Sequence, residues 1–210
     1  MEARRGSPVY RLRLMYGDAP VQVTVIGADA ATAEDAADLL TDLLTRWNLD
    51  DPRSALSKLW RAGAAAGVGD ATLLLLHLGT TARVDLRAGA VTLPTPTAPP
   101  DPDLVRALAV DIVVQDLLDN EAVGACVAIG SHIRVAGAAP TSAGWLVPGP
   151  PPGLSGRVRL HDGAMVTVER AYGESRRAVT AAMPTAWAAA AAAVAALVTT
   201  GQLLGFASSR

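Results

Sequence analysis

The sequence predicts a mixed α/β (α+β) fold in which a largely antiparallel sheet packs against helices. Three observations predict it. Segments with a two-residue apolar period recur along the chain, and segments with a helical period separate them. The resulting order, ββα…ββα…ββ…βββα, lacks the regular βαβ alternation of a doubly wound dinucleotide-binding sheet.

Tyr10 to Tyr16 (YRLRLMY) and Pro20 to Gly27 (PVQVTVIG) alternate as strands, with Gly17-Asp18 as the hairpin turn between them. Asp29 to Trp47 reads as a helix whose apolar stripe runs Ala33, Ala36, Ala37, Leu40, Leu43, Leu44 and Trp47. Thr32 is its expected N-cap. Ser54 to Trp60 and Ala71 to Leu78 are short helices; Ala82 to Leu86 and Ala90 to Leu93 are short strands. A Pro-rich connector at 94–103 precedes a helix from Leu104 to Leu118, with Asp101 or Asp103 near its start. Gly124 to Ile129 pairs with His132 to Ala136. Gly144 to Val147 follows, then a second Pro-rich loop at 148–153. Arg157 to Leu160 and Ala164 to Val168 flank His161-Asp162-Gly163, a hairpin signal. Ala178 to Ala182 is a final strand. Pro184 then opens a helix over Thr185 to Val198. The expected organisation is one domain over 1–210.

Composition narrows the function classes. Of 210 residues, 42 are Ala, while Phe and Cys occur once each, so a core of Ala, Val and Leu must bring backbones close together. Eighteen basic against twenty acidic side chains exclude a globally basic nucleic-acid binder. The single Cys126 excludes a disulfide framework or a Cys-rich metal site, and reads as a small buried hydrophobe. The N-terminus lacks the apolar stretch of a secretory signal, and the uncharged stretch 178–209 is interrupted by Pro184 and Gly201. A cytoplasmic protein, without membrane or nucleic-acid partners, is the expectation.

Motif chemistry is sparse. No P-loop or GxGxxG is present, and His77, His132 and His161 are too dispersed to define metal-ligand spacing. Asp111, inside the apolar helix, can cap, pair with Arg106 or face solvent. Ser131 to Arg134 sits at a hairpin where an anion could bind.

Five stretches, in order, carry a resemblance: VQVTVIGADAATAEDAADLLTDLL, RWNLDDPRSALSKLWRAG, VRALAVDIVVQDLL, VAIGSHIRVAG and AVTAAMPTAWAAAAAAVAAL. The last four are similar to “FSRFDPDSELSRLN”, “AKGYAVD”, “NAGGDIRV” and “SVTVVAPTAxxADALATAL” of the FAD:protein FMN transferases, the ApbE-like family. RVRLHDGAMVTV is similar to the strand before that family's “ATSG” turn. The resemblance spans roughly Leu12 to Leu197 and implies an ApbE-like, T-fold-like sheet with helices. It also implies FAD and Mg²⁺ as cofactors, and transfer of FMN to a Thr or Ser of a target protein.

Carried over residue by residue, the resemblance marks Asp111, Gly130, Thr167 and Thr185 as candidate cofactor-binding positions. It assigns no catalytic residue and no metal ligand. Ala190 and Val194 stand where the family holds its metal with an Asp and a Thr, and Arg106-Ala107 replaces its Lys-Gly. Pro102-Asp103 replaces a Gly-Gly pair, Ala128 an Asn, and Ser131-His132 a Gly-Asp. “HIIDPRTG” has no counterpart between Val168 and Ala178, nor “GGxFDPTVG” between Leu78 and Arg83. The expectation is a degenerate, noncatalytic relative needing no cofactor, which binds a small ligand or a protein partner. One alternative is a divergent FMN transferase using Asp103, Asp111 or Glu169. Another is a structural subunit of a homo- or hetero-oligomer, packed through the Ala-rich last helix.

Overall fold

The computed structural model describes residues 7–80, 83–85, 88–93, 98–149, 156–172 and 175–207. A six-stranded antiparallel sheet organises them, in the order β1 (Val9–Tyr16), β2 (Ala19–Ile26), β6 (Gly124–Ile129), β7 (His132–Gly137), β10 (Gly163–Tyr172) and β11 (Ser175–Met183). The intervening segments are α1 (Ala30–Arg46), α2 (Ala55–Ala62), β3 (Ala64–Ala65), α3 (Asp70–Gly79), β4 (Arg83–Asp85), β5 (Ala90–Thr92) and α4 (Pro102–Asp119). After β7 come β8 (Trp145–Pro148) and β9 (Arg157–Leu160), and α5 (Ala186–Ala207) follows β11. β3, β5 and β4 form a small sheet, and β8 pairs with β9 as a separate ribbon.

Strand alternation gives the main sheet two unlike faces. Val21, Val23 and Val25 of β2, Ala125, Val127 and Ile129 of β6, and Ala164, Val166 and Val168 of β10 belong to the core beneath the helices. Ile26, Cys126, Ile133, Val135 and Met165 point the other way and pack under the β8–β9 ribbon with Trp145 and Val147. α4 is apolar nearly all round because it lies between α1, α5, β6 and β7. α5 packs on α4, β10 and β11 through Ala186, Ala189, Ala190, Ala193 and Leu197, all buried. Ala195, Ala196 and Val198 of the same helix are exposed.

Four local expectations are corrected. Asp29, not Thr32, caps α1: its carboxylate accepts from the Thr32 backbone N–H at 2.9 Å and from the Thr32 hydroxyl at 2.8 Å. The connector expected over 94–103 ends earlier, because Pro102 and Asp103 form the first turn of α4. Asp101 caps that turn by accepting from the Asp103 N–H at 2.9 Å, and proline is preorganised for such a position. The loop expected over 148–153 begins inside β8, which includes Pro148.

The hairpin expected at His161-Asp162-Gly163 does not form. β9 pairs with β8, and β10 pairs with β7 and β11, so the turn passes the chain from the ribbon to the main sheet. Local turn chemistry was right there, but burial of Val166 and Val168 under the helices decides the pairing. Ala82, Leu86, and the parts of both Pro-rich segments at 94–97 and 150–155 lie outside the described residues.

Candidate functional site

The polar residues buried beneath the helices gather along α4 and the strands it covers. Asp111 lies in the middle of α4, but its carboxylate serves α5. Oδ1 accepts from the Ala186 N–H and Oδ2 from the Trp187 N–H, each at 2.8 Å. A helix start exposes unpaired N–H groups and a partial positive charge, and a carboxylate satisfies both. Thr185 assists from within the chain: its hydroxyl accepts from the Ala188 N–H at 3.2 Å. Arg134 of β7 reaches Asp111 at 3.5 Å and Asp162 at 2.8 Å. Burial raises the Asp111 carboxyl above the ordinary aspartate range, against the lowering effect of the two N–H bonds and Arg134.

A second cluster closes the start of α4. Arg170 of β10 binds both oxygens of Asp101, at 2.8 and 2.6 Å, and Asp103 at 2.5 Å. Arg106 stands 3.6 Å from Asp103. His132 of β7 is buried, its Nε2 3.2 Å from Asp103 Oδ1. Burial pushes the Asp103 carboxyl up, yet His132 and Arg170 outweigh it and hold the group below the ordinary range.

Gly130 and Thr167 meet at the β6–β7 turn. Gly130 adopts φ 56°, the left-handed backbone that the tight turn requires. Beside it the Ser131 hydroxyl donates to the Thr167 carbonyl at 2.8 Å, and the Thr167 and Thr180 hydroxyls pair at 2.8 Å. The four candidate positions therefore fall into two pairs: Asp111 with Thr185 at the start of α5, and Gly130 with Thr167 at the turn. His132 and Arg134, read as an anion site from the sequence, face carboxylates instead. Each already has its negative partner.

Three of the resembling stretches converge at one end of the sheet. A cleft of about 420 Å³ lies between the β1–β2 turn, Arg106 and the Gly130-Ser131-His132 turn. A neighbouring one of about 240 Å³ is lined by Tyr16, Trp47, Asn48, Asp50, Pro102 and Arg106. Trp47 is fixed there by donating its ring N–H to Thr72 at 2.9 Å.

The positions that resemble a metal site tell a different story. Ala190 is fully buried in the core, and Val194 packs against the same core. Neither offers an oxygen, and both Asp111 oxygens are already held by backbone N–H groups. Divalent cations of this kind need several oxygen ligands, so these residues do not fit one. Among the described residues no three His, Cys, Asp or Glu side chains converge as metal ligands.

The arrangement that results is the fold of the flavin transferases. The ApbE protein of Thermotoga maritima superimposes with a TM-score of 0.70 at 15% identity, covering 92% of this chain and 88% of that one. The flavin transferase ApbE of Vibrio cholerae gives 0.64 at 14% identity, over 89% and 85% of the two chains. The apo form of the Pseudomonas stutzeri flavinyl transferase ApbE gives 0.68 at 11% identity, over 88% and 82%. No family model and no curated protein sequence matches the chain. The mixed fold expected from the sequence is therefore present, with the ApbE architecture.

Sequence reading missed the Arg170–Asp101–Asp103 cluster. Its members lie about seventy residues apart on different elements, and no spacing rule links them. The one available signal was a pair of acids flanking Pro102 at a helix start.

Proposed function

We propose that the chain is a noncatalytic protein on the ApbE scaffold, which has given up Mg²⁺-dependent FMN transfer and works by binding a small ligand or a protein partner. The observation that carries this reading is the fate of Asp111: its two oxygens clamp the start of α5, four residues before the buried Ala190. Metal-assisted cleavage of a pyrophosphate needs a cation positioned by oxygen ligands. A carboxylate already spent on two backbone N–H groups, beside an alanine and a valine, is poor material for that task. In this reading the protein requires neither FAD nor Mg²⁺.

The reading keeps the protein in the cytoplasm with no bilayer or nucleic acid as partner. No helix among the described residues is long and apolar enough to cross a membrane, and the net charge is -2.

Purified protein incubated with FAD, Mg²⁺ and a Thr-bearing acceptor tests the proposal. The expected result is no AMP and no flavin on the acceptor. Metal-dependent AMP release with FMN transfer would overturn it in favour of a divergent transferase. Alanine substitutions at Asp103, Asp111 and Glu169 would then identify the acids that carry the activity.

A further inference from the structure

The face of the sheet away from the helices is only partly covered. The β8–β9 ribbon seals Ile26, Val135 and Met165, but a pocket of about 660 Å³ remains between the ribbon and strands β1, β2, β6 and β7. That volume lies within the range of small-molecule sites. Cys126, Ile133 and Trp145 give it an apolar wall. Burial pushes the Cys126 thiol up to about 12, so the wall carries no thiolate.

Three arginines line the same pocket: Arg11 from β1, and Arg157 and Arg159 from β9. Among the described residues no Asp or Glu lines it. All three arginines are exposed, and none has an ion-pair partner among the described residues.

We propose that this pocket binds an amphipathic organic anion. Its apolar body rests against Trp145, Ile133 and Cys126, and its acid group takes the charge of Arg11, Arg157 and Arg159. Guanidinium groups suit carboxylate, sulfonate or phosphate oxygens because they present several donors in a fixed plane. The proposal is independent of whether the chain transfers FMN, since the pocket opens on the opposite face of the sheet from Asp111 and Ala190.

The test uses two fluorescent probes of similar shape, the anion 8-anilinonaphthalene-1-sulfonate and the uncharged N-phenyl-1-naphthylamine, each titrated into the full chain. The anion should saturate at one molecule per chain. Replacing Arg11, Arg157 and Arg159 together by Ala should weaken the anion about tenfold or more while leaving the uncharged probe nearly unchanged. A second variant, Ala128→Trp, narrows the pocket from β6 while keeping all three arginines and should weaken binding of both probes. Circular dichroism would verify that each variant is folded, and the single Arg159→Ala replaces the triple variant if that one is not. Unchanged anion affinity in the arginine variant, equal losses for both probes, or full binding in Ala128→Trp would each overturn the proposal.

Discussion

The two faces of the main sheet share the same strands and differ in almost everything else. Under the helices, the charged groups around α4 are paired with one another. Asp111 holds the start of α5, Arg134 stands between Asp111 and Asp162, and Arg170 grips Asp101 and Asp103. Under the β8–β9 ribbon, a pocket stays open, and three exposed arginines that line it have no carboxylate partner among the described residues. A face that has satisfied its polar groups internally has little left to offer a ligand. A face that has not done so is where binding free energy remains available. The scaffold of a flavin transferase therefore does not fix which face of this chain is used.

The harshest way to break the comparison is to restore charge beneath the helices. Ala190→Asp places a carboxylate in a fully buried position, and should cost about 4 kcal/mol or more in urea denaturation. Adding Mg²⁺ should recover none of that loss. Recovery would mean that the helix face is a metal site waiting for its ligand.

Removing the clamp comes next. Asp111→Ala leaves the Ala186 and Trp187 N–H groups without acceptors and deprives Arg134 of one partner. The expected loss is about 2–3 kcal/mol. Asp111→Asn keeps one acceptor oxygen and should lose roughly half as much. Equal stability for the alanine variant and the parent would remove Asp111 from the account of why this face is closed.

Smaller effects come from pH, and the two buried aspartates should pull in opposite directions. The Asp103 carboxyl is held below the ordinary range, so the stability it contributes is present above its unfolded value and is lost as pH falls through its folded value. Asp103→Asn should flatten that acid limb. The Asp111 carboxyl is raised, so the unfolded chain gives up its proton first, and stability declines as pH climbs from the ordinary aspartate value to the raised one. Asp111→Asn should abolish that decline. Denaturant midpoints followed across the acid range would separate the two signs.

The smallest effect is kinetic. Cys126 is buried with its thiol pushed up to about 12. A disulfide reagent at mildly alkaline pH should therefore react slowly, because the thiolate is the attacking species and little of it is present. Rapid reaction in the native state would show that the thiol ionises far more readily than its burial implies.

How much of this was legible in the sequence depended on range. Alternation in YRLRLMY and PVQVTVIG gave β1 and β2, and the stripe from Ala33 to Leu44 gave α1, because those signals are local. The cap moved from Thr32 to Asp29 because either residue can accept at that helix start, and only the backbone entry angle chooses between them. The His161-Asp162-Gly163 turn misled because a turn motif states that the chain reverses, not which strand it meets next. Asp111 was singled out from the sequence as a candidate, but its partners, Ala186 and Trp187, lie 75 and 76 residues away. The arginine pocket was harder still. RVRL showed Arg157 and Arg159 alternating, yet nothing in the chain linked them to Arg11 across a separate sheet.

One measurement tests the central claim most directly: the amide resonances of Ala186 and Trp187, followed as FAD and Mg²⁺ are titrated into the protein. These two N–H groups are bonded to the oxygens that a cation would have to take. If Asp111 is a structural clamp, both resonances stay in place to millimolar Mg²⁺. A displacement of either one that saturates with Mg²⁺ would contradict the account and return the carboxylate to catalysis.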